Sequence, residues 1–266
     1  MFDRIIVGTN CDETYIGFCD LQILAHRVFF PEVRLTFAFL VDDPQFPIDA
    51  MKELVEQNGA DAYFYKPADG VTLANQAKLL RYYCASQFPD EVSIVCDIDT
   101  IPLNSAYIES LAERRVAGQL LAVGREVYSG THDGKFPAHH TAGEGRLFEQ
   151  LYNTVGKSFA DVVRQHAGSR VHDHKEDVRN AANAFSDESL NRALIQQYDV
   201  PVQYVTRDID IHTQWIDRAW WDKLDVAHLN ADGYIEANLL RPYTKNEDKI
   251  APIVEYLQCK LPPIKE

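Results

Sequence analysis

The chain is short of positive charge. Its 266 residues carry 26 lysines and arginines against 40 aspartates and glutamates, a formal net charge of −14. No block of consecutive lysines or arginines offsets that balance, which argues against a surface built to neutralise nucleic-acid phosphates or an anionic membrane leaflet. No nucleic-acid partner is therefore expected. Cysteine is sparse as well: Cys11, Cys19, Cys84, Cys96 and Cys259 are odd in number, scattered, and form no CxxC pair suited to zinc or thiol redox chemistry. Buried free thiols in a reducing compartment are the expectation. Also missing are an apolar run of membrane-spanning length and, at Met1 to Val7, a basic stretch leading into a long apolar one. No transmembrane segment is expected, and a cytoplasmic location follows as the default. Repeats, low-complexity tracts and a separating linker are absent too, so residues 1–266 read as one domain.

What is present is the balance of a filled globular core, with 46% hydrophobic and 25% charged residues. Ile5 to Gly8 is a short apolar run that stops at Thr9 and Asn10, which predicts a buried first strand opening into a polar loop. Tyr15 to Val28 has helical spacing, Val33 to Val41 is rich in β-branched and aromatic residues, and Pro47 to Asn58 predicts a helix ended by Gly59. Ala62 to Tyr65 predicts a third strand and Val92 to Cys96 a fourth. Between them, Leu73 to Phe88 repeats apolar residues at helical spacing and sets Asn75, Lys78 and Arg81 together on a second face. Strands and helices alternating in this way imply parallel pairing through right-handed crossovers. Further on, the pattern predicts a strand over Leu120 to Tyr128, one helix over Phe148 to His166, a charged loop over His172 to Asn180, a helix over Glu188 to Tyr198, and a strand over Val202 to Val205.

The most informative residues are Asp97-Ile98-Asp99, directly after the fourth strand. A strand running into two carboxylates one residue apart places both at the C-terminal edge of a parallel sheet, where α/β folds bind ligands. Neighbouring carboxylates repel, and a divalent cation neutralises such a pair. Hard oxygen ligands at this spacing suit Mn²⁺ or Mg²⁺, an ion that would bridge a substrate diphosphate.

Val95-Cys96-Asp97-Ile98-Asp99-Thr100 resembles the Asp-x-Asp motif of GT-A glycosyltransferases, and its place about a hundred residues into the chain, after a buried strand, is similar too. The resemblance implies a GT-A-like α/β fold with a mostly parallel central sheet flanked by helices. It further implies a half that binds a nucleotide sugar over about 1–103 and an acceptor half over about 104–266. The implied activity is metal-dependent transfer of a sugar from a nucleoside-diphosphate donor, UDP by family analogy, to an acceptor hydroxyl, such as one on a glycan. Thr9, Asn10 and Tyr15 follow the first strand, where such enzymes hold nucleobase and ribose; Lys78 and Arg81 resemble their phosphate-contacting or sugar-contacting positions. Asp97, Ile98, Asp99 and Arg241 complete the implied donor site. His228-Leu229-Asn230 through Gly233 to Arg241-Pro242-Tyr243 resembles a His-x-x-Gly-x-x-Lys-Pro-Trp segment whose histidine joins Asp97 and Asp99 on the metal, although the spacing departs and Arg-Pro-Tyr replaces Lys-Pro-Trp. Asp187 is the implied general base, with Glu188 next to it, and Pro137 to Gly143 is a candidate for shaping the acceptor pocket.

Each of these residues also has a plainer reading. Lys78 and Arg81 can be a solvated helix face, His228 an ordinary structural histidine, and Asp187 or Ser186 a helix cap. His139 and His140 read slightly better as solvent-facing. Two other functions remain open at this point. A haloacid-dehalogenase-type phosphatase would use Asp97 as nucleophile and Asp99 as acid, but Thr100 falls one position early for that motif. A non-catalytic nucleotide-binding module would use the carboxylates only to cap loops. A sugar-nucleotide pyrophosphorylase is disfavoured because no Gly-rich basic signature follows the first strand.

Overall fold

In the computed structural model the apolar runs of the first hundred residues become the strands of one sheet. The structure describes residues 1–124, 136, 140–167, 187–206 and 214–261, with the side chains of 187–189 and 220 outside that description. Strands β1 (Arg4–Asn10), β2 (Arg34–Leu40), β3 (Asp61–Tyr65) and β4 (Val92–Asp97) alternate with helices α1 (Phe18–Phe29), α2 (Ile48–Gln57) and α3 (Leu73–Ser86). After β4 come β5 (Thr100–Pro102), α4 (Ser105–Arg114), β6 (Leu120–Val123), β7 (His140–Glu144), α5 (Gly145–Tyr152) and α6 (Phe159–Ala167). The chain continues through α7 (Asp187–Tyr198), β8 (Val202–Val205), β9 (Trp215–Ile216), α8 (Val226–Asn230), β10 (Glu236–Asn238) and α9 (Glu247–Lys260).

The main sheet has seven strands in the order β3-β2-β1-β4-β7-β6-β8. Pairing is parallel except at β7, which runs antiparallel to both β4 and β6. The chain leaves β1 toward β2 and β3, then crosses back to lay β4 on the other side of β1. That reversal leaves a crevice at the carboxyl ends of β1 and β4, where open α/β sheets bind ligands. A second sheet, β5-β10-β9, sits beside this end, with Leu239 donating to the Asp99 carbonyl at 2.8 Å.

Both faces of the main sheet are covered, which is why its central strands are apolar throughout rather than alternating. One core holds Val7, Phe37, Phe39, Ile94 and Cys96 with Phe18 and Leu21 of α1 and Ile253 and Leu257 of α9. The other holds Ile6, Leu40 and Val95 with Leu80 and Cys84 of α3, Phe148 of α5, Val162 of α6 and Leu194 of α7. Of the five cysteines, all free, Cys19, Cys84 and Cys96 are buried and Cys259 is exposed.

Two expectations change. The helix expected over Phe148 to His166 is two helices, because Asn153 and Gly156 adopt positive φ of 50° and 69° and turn the chain between α5 and α6. The expected solvent-facing position of His140 is wrong: it lies in β7, 2% exposed, with Nε2 3.2 Å from the Glu236 carboxylate. An interior strand flanked on both sides leaves no solvent face for it. The strand expected to run from Leu120 to Tyr128 is described only as β6, its remainder lying outside the described residues. So do 137–139 and the charged stretch 172–180.

Candidate functional site at the ends of β1 and β4

β1 ends in Gly8-Thr9-Asn10 and β4 in Asp97, and the two strands pair in register Gly8 to Asp97. Helix α3 lies directly across this corner. A Cβ on Gly8 would stand 2.9 Å from the Arg81 backbone nitrogen and 3.0 Å from the Ala77 carbonyl, so the bare glycine is what lets α3 lie this close. A cleft of about 480 Å³, including its open mouth, results; Thr9, Asn10, Tyr15, Lys78, Arg81, Asp97, Ile98, Asp99 and Arg241 all line it, with Gly8, Ala74 and Ala77. The structure thus brings together every residue assigned to donor binding.

Their states differ. Lys78 is exposed, while Arg81, one helical turn on, is buried, so the expected shared solvent face on α3 splits. Arg81 Nη1 donates to Asp97 Oδ1. Ile98 points into the core between the two aspartates. Asp99 is 1% exposed, and its Oδ2 accepts from both Arg218 Nη2 and Arg241 Nε. Arg218 is fixed in turn by the Leu239 carbonyl at 2.8 Å and Asn238 Oδ1 at 2.5 Å. Arg241 donates to Tyr15 Oη at 3.1 Å and sits 5.0 Å over the Tyr15 ring. Burial works against the charge on Arg241, but the hydrogen bond to Asp99 and the carboxylate's field more than offset it and raise its pKa above the ordinary value. Asn10 Nδ2 donates to Asp12, whose other oxygen takes the Thr14 N–H at 2.9 Å, shaping the loop that carries Tyr15.

Two contributors escaped sequence reasoning. Gln22, buried on α1, directs its amide at the carbonyls of Ile98 (2.9 Å), Thr100 (2.8 Å) and Asp97 (3.3 Å), which pins the turn that carries both aspartates. Arg218 lies 119 residues from Asp99, and no local pattern marks it. A buried glutamine in an apolar helix face is the one signal that could have pointed to the first.

The residues do not fit a divalent cation as they are paired. Both aspartates are engaged by guanidinium groups. Among the described residues no three His, Cys, Asp or Glu side chains are placed to hold a metal ion. His228 is not brought to the cleft: its ring packs edge-on against Tyr234, centroids 4.7 Å apart, and fills the space a Gly233 side chain would need. Asp187 and Glu188 open α7, but their side chains lie outside the described residues.

The architecture is that of a GT-A-like α/β fold. An active-site mutant of LgtC has a solved structure similar to this chain over 99% of it and 98% of that protein, with a TM-score of 0.51 and 12% identity. GlyE, a glycosyltransferase of Streptococcus pneumoniae TIGR4, is similar at TM-score 0.49 and 13% identity; the match covers 76% of this chain and 45% of that one. The chain therefore spans less than half the length of GlyE. A putative glucose-1-phosphate thymidylyltransferase from Bacillus anthracis is similar at TM-score 0.42 and 9% identity, covering 77% of this chain and 87% of that one. Of these three likenesses, that to the LgtC mutant alone has a TM-score above 0.5, and at 12% identity it speaks for the fold. No family model and no curated protein matches the sequence. Among the described residues no helix is long and apolar enough to cross a membrane.

Proposed function

We propose that the chain is a glycosyltransferase that moves a sugar from a nucleoside-diphosphate donor to an acceptor hydroxyl. The observation that carries this reading is the cleft itself: at the sheet's switch point it gathers an aromatic ring, polar β1-end groups and cationic side chains around one corner. That set suits a donor whose base and ribose lie against Tyr15, Thr9 and Asn10 and whose diphosphate meets Lys78 and Arg241. UDP is the nucleotide the sequence resemblance favours, and a glycan hydroxyl the acceptor. LgtC, the solved protein of like fold, is a galactosyltransferase whose structure was determined with donor and acceptor sugar analogs.

Glycosyl transfer runs through an oxocarbenium-like transition state while negative charge builds on the departing diphosphate. Cations placed at that oxygen lower the barrier because the charge develops there only as the bond breaks. Lys78 and Arg241 are the groups assigned this work. The acceptor proton goes to a carboxylate in an inverting reaction, and Asp187, then Glu188, are assigned that role. The phosphatase reading gains nothing from the structure, since Asp99 would have to donate a proton while accepting from two guanidinium groups.

A screen of nucleotide sugars for donor hydrolysis in the absence of acceptor, followed by product analysis, tests the proposal. Release of a nucleoside diphosphate and free sugar from one donor class is the expected result. Hydrolysis of simple phosphate esters with every nucleotide sugar untouched would sink it.

A further inference from the structure

The Asp-x-Asp pair attracts a cation when its carboxylates face each other unrelieved. In this fold the relief is already present. Among the described residues Asp97 is paired with the buried Arg81 of α3, and Asp99 with Arg218 and Arg241 together, so each carboxylate already faces a guanidinium group. A dication entering this corner would meet like charge at close range from groups that a low-dielectric setting screens poorly.

Arg241 is the member that reaches outward. Its side chain is 35% exposed. Nε goes to Asp99 and Nη1 to Tyr15, whereas Nη2 donates to no protein group among the described residues. A guanidinium anchored along one edge and open along another is pre-oriented for bidentate contact with a phosphate. Lys78 lines the same cleft and is exposed.

We propose that Arg241 and Lys78 bind the donor's diphosphate directly and without a divalent cation, while Asp97 and Asp99 position arginines rather than ligate metal. This rests on the nucleotide-sugar reading above. Arg241 then does the electrostatic work assigned to a metal ion in the sequence resemblance, and Arg218 is a positioning residue that holds Asp99, and through it Arg241, in place.

Isothermal titration of the full chain with UDP, once in excess EDTA and once in Mn²⁺, decides the matter, together with titration of Mn²⁺ alone. The expected result is no saturable Mn²⁺ binding at micromolar concentrations and UDP affinities that agree within about threefold in the two media. In EDTA, Arg241→Gln weakens UDP at least about tenfold and flattens the dependence of affinity on salt, while Arg241→Lys recovers part of the loss. UDP binding that appears only with Mn²⁺ and disappears in Asp97→Asn would overturn the metal-free site and leave the transferase reading standing. Failure of every nucleoside diphosphate to bind in either medium would overturn both. The comparison of EDTA with Mn²⁺ uses the unsubstituted protein, so it holds even if a variant folds poorly.

Discussion

At the scale of single residues, the turn Asp97-Ile98-Asp99 shows how three neighbours acquire three different environments. Asp97 stays partly exposed beside Arg81, Ile98 enters the core, and Asp99 is sealed between two arginines. Gln22 makes this possible by holding the carbonyls on either side. Gln22→Leu leaves those carbonyls without their donor and should cost about 1–3 kcal/mol of stability, read from the denaturant midpoint. Because the turn carries both aspartates, the same variant should weaken nucleotide binding, and calorimetry at a temperature where it remains folded will show that. For Asp187, replacement by Asn should lower kcat by about 10²–10⁴ with little change in donor KM if it removes the acceptor proton. Equal loss in kcat and stability, or none in kcat, would remove it from the catalytic role.

At the scale of elements, the site exists because α3 lies close across β1. Gly8→Ala puts a methyl group against the Arg81 and Ala77 backbone and forces the helix outward, at a cost of about 1–3 kcal/mol. Lys78 rides on that helix, so donor affinity should fall as well; retained affinity with unchanged stability would show that the contact is slack. The far end of the same sheet is tied by a buried Arg4, which bonds Glu91 at 2.7 Å, Asp61 and Thr36 each at 2.5 Å, and packs 3.8 Å over the Phe88 ring. Arg4 thereby joins β1, β2 and β3 to the start of β4. Arg4→Ala leaves Asp61 without its guanidinium and Glu91 with Arg34 alone, empties a buried space, and should destabilise by about 1–3 kcal/mol, measured by chemical denaturation. Elements were legible in the sequence where one period ran without interruption, as in α3 or β2. They were not legible where a strand is short and paired only by distant partners, as in β5, β9 and β10, or where a positive-φ residue breaks a helix that keeps its apolar period, as between α5 and α6.

For the whole molecule, two partly or fully buried histidines tie stability to pH. Burial lowers the pKa of His26 and of His166 below the ordinary 6.5, each against a weaker opposing pull from a backbone carbonyl. The folded chain then keeps both rings neutral at a pH where the unfolded chain already takes up protons, so acid favours unfolding. Stability is full above pH 6.5 and is lost as pH falls through the interval between 6.5 and the lower folded values. Denaturant midpoints measured at neutral pH and about one and a half units lower should differ, and less so in His166→Gln. An unchanged midpoint across that range would count against it.

The division of labour between sequence and structure follows from the range of each interaction. Periodicity and strand-ending polar residues are local, and they alone marked the alternating α/β order, the Asp-x-Asp turn at the edge of a strand, and the polar end of β1. Nine of the twelve residues that line the cleft were named from the sequence, Arg241 and the donor-binding roles through the family resemblance. What Asp99 bonds to could not be read locally, since Arg218 and Arg241 arrive from 119 and 142 residues away. Nor could the antiparallel β7, which buries His140 against Glu236. Whether two adjacent carboxylates meet a metal ion or a guanidinium depends on which distant segment packs beside them. For Asp97 that segment is α3, from the same half of the chain; for Asp99 only the folding of the second half against the first decides it.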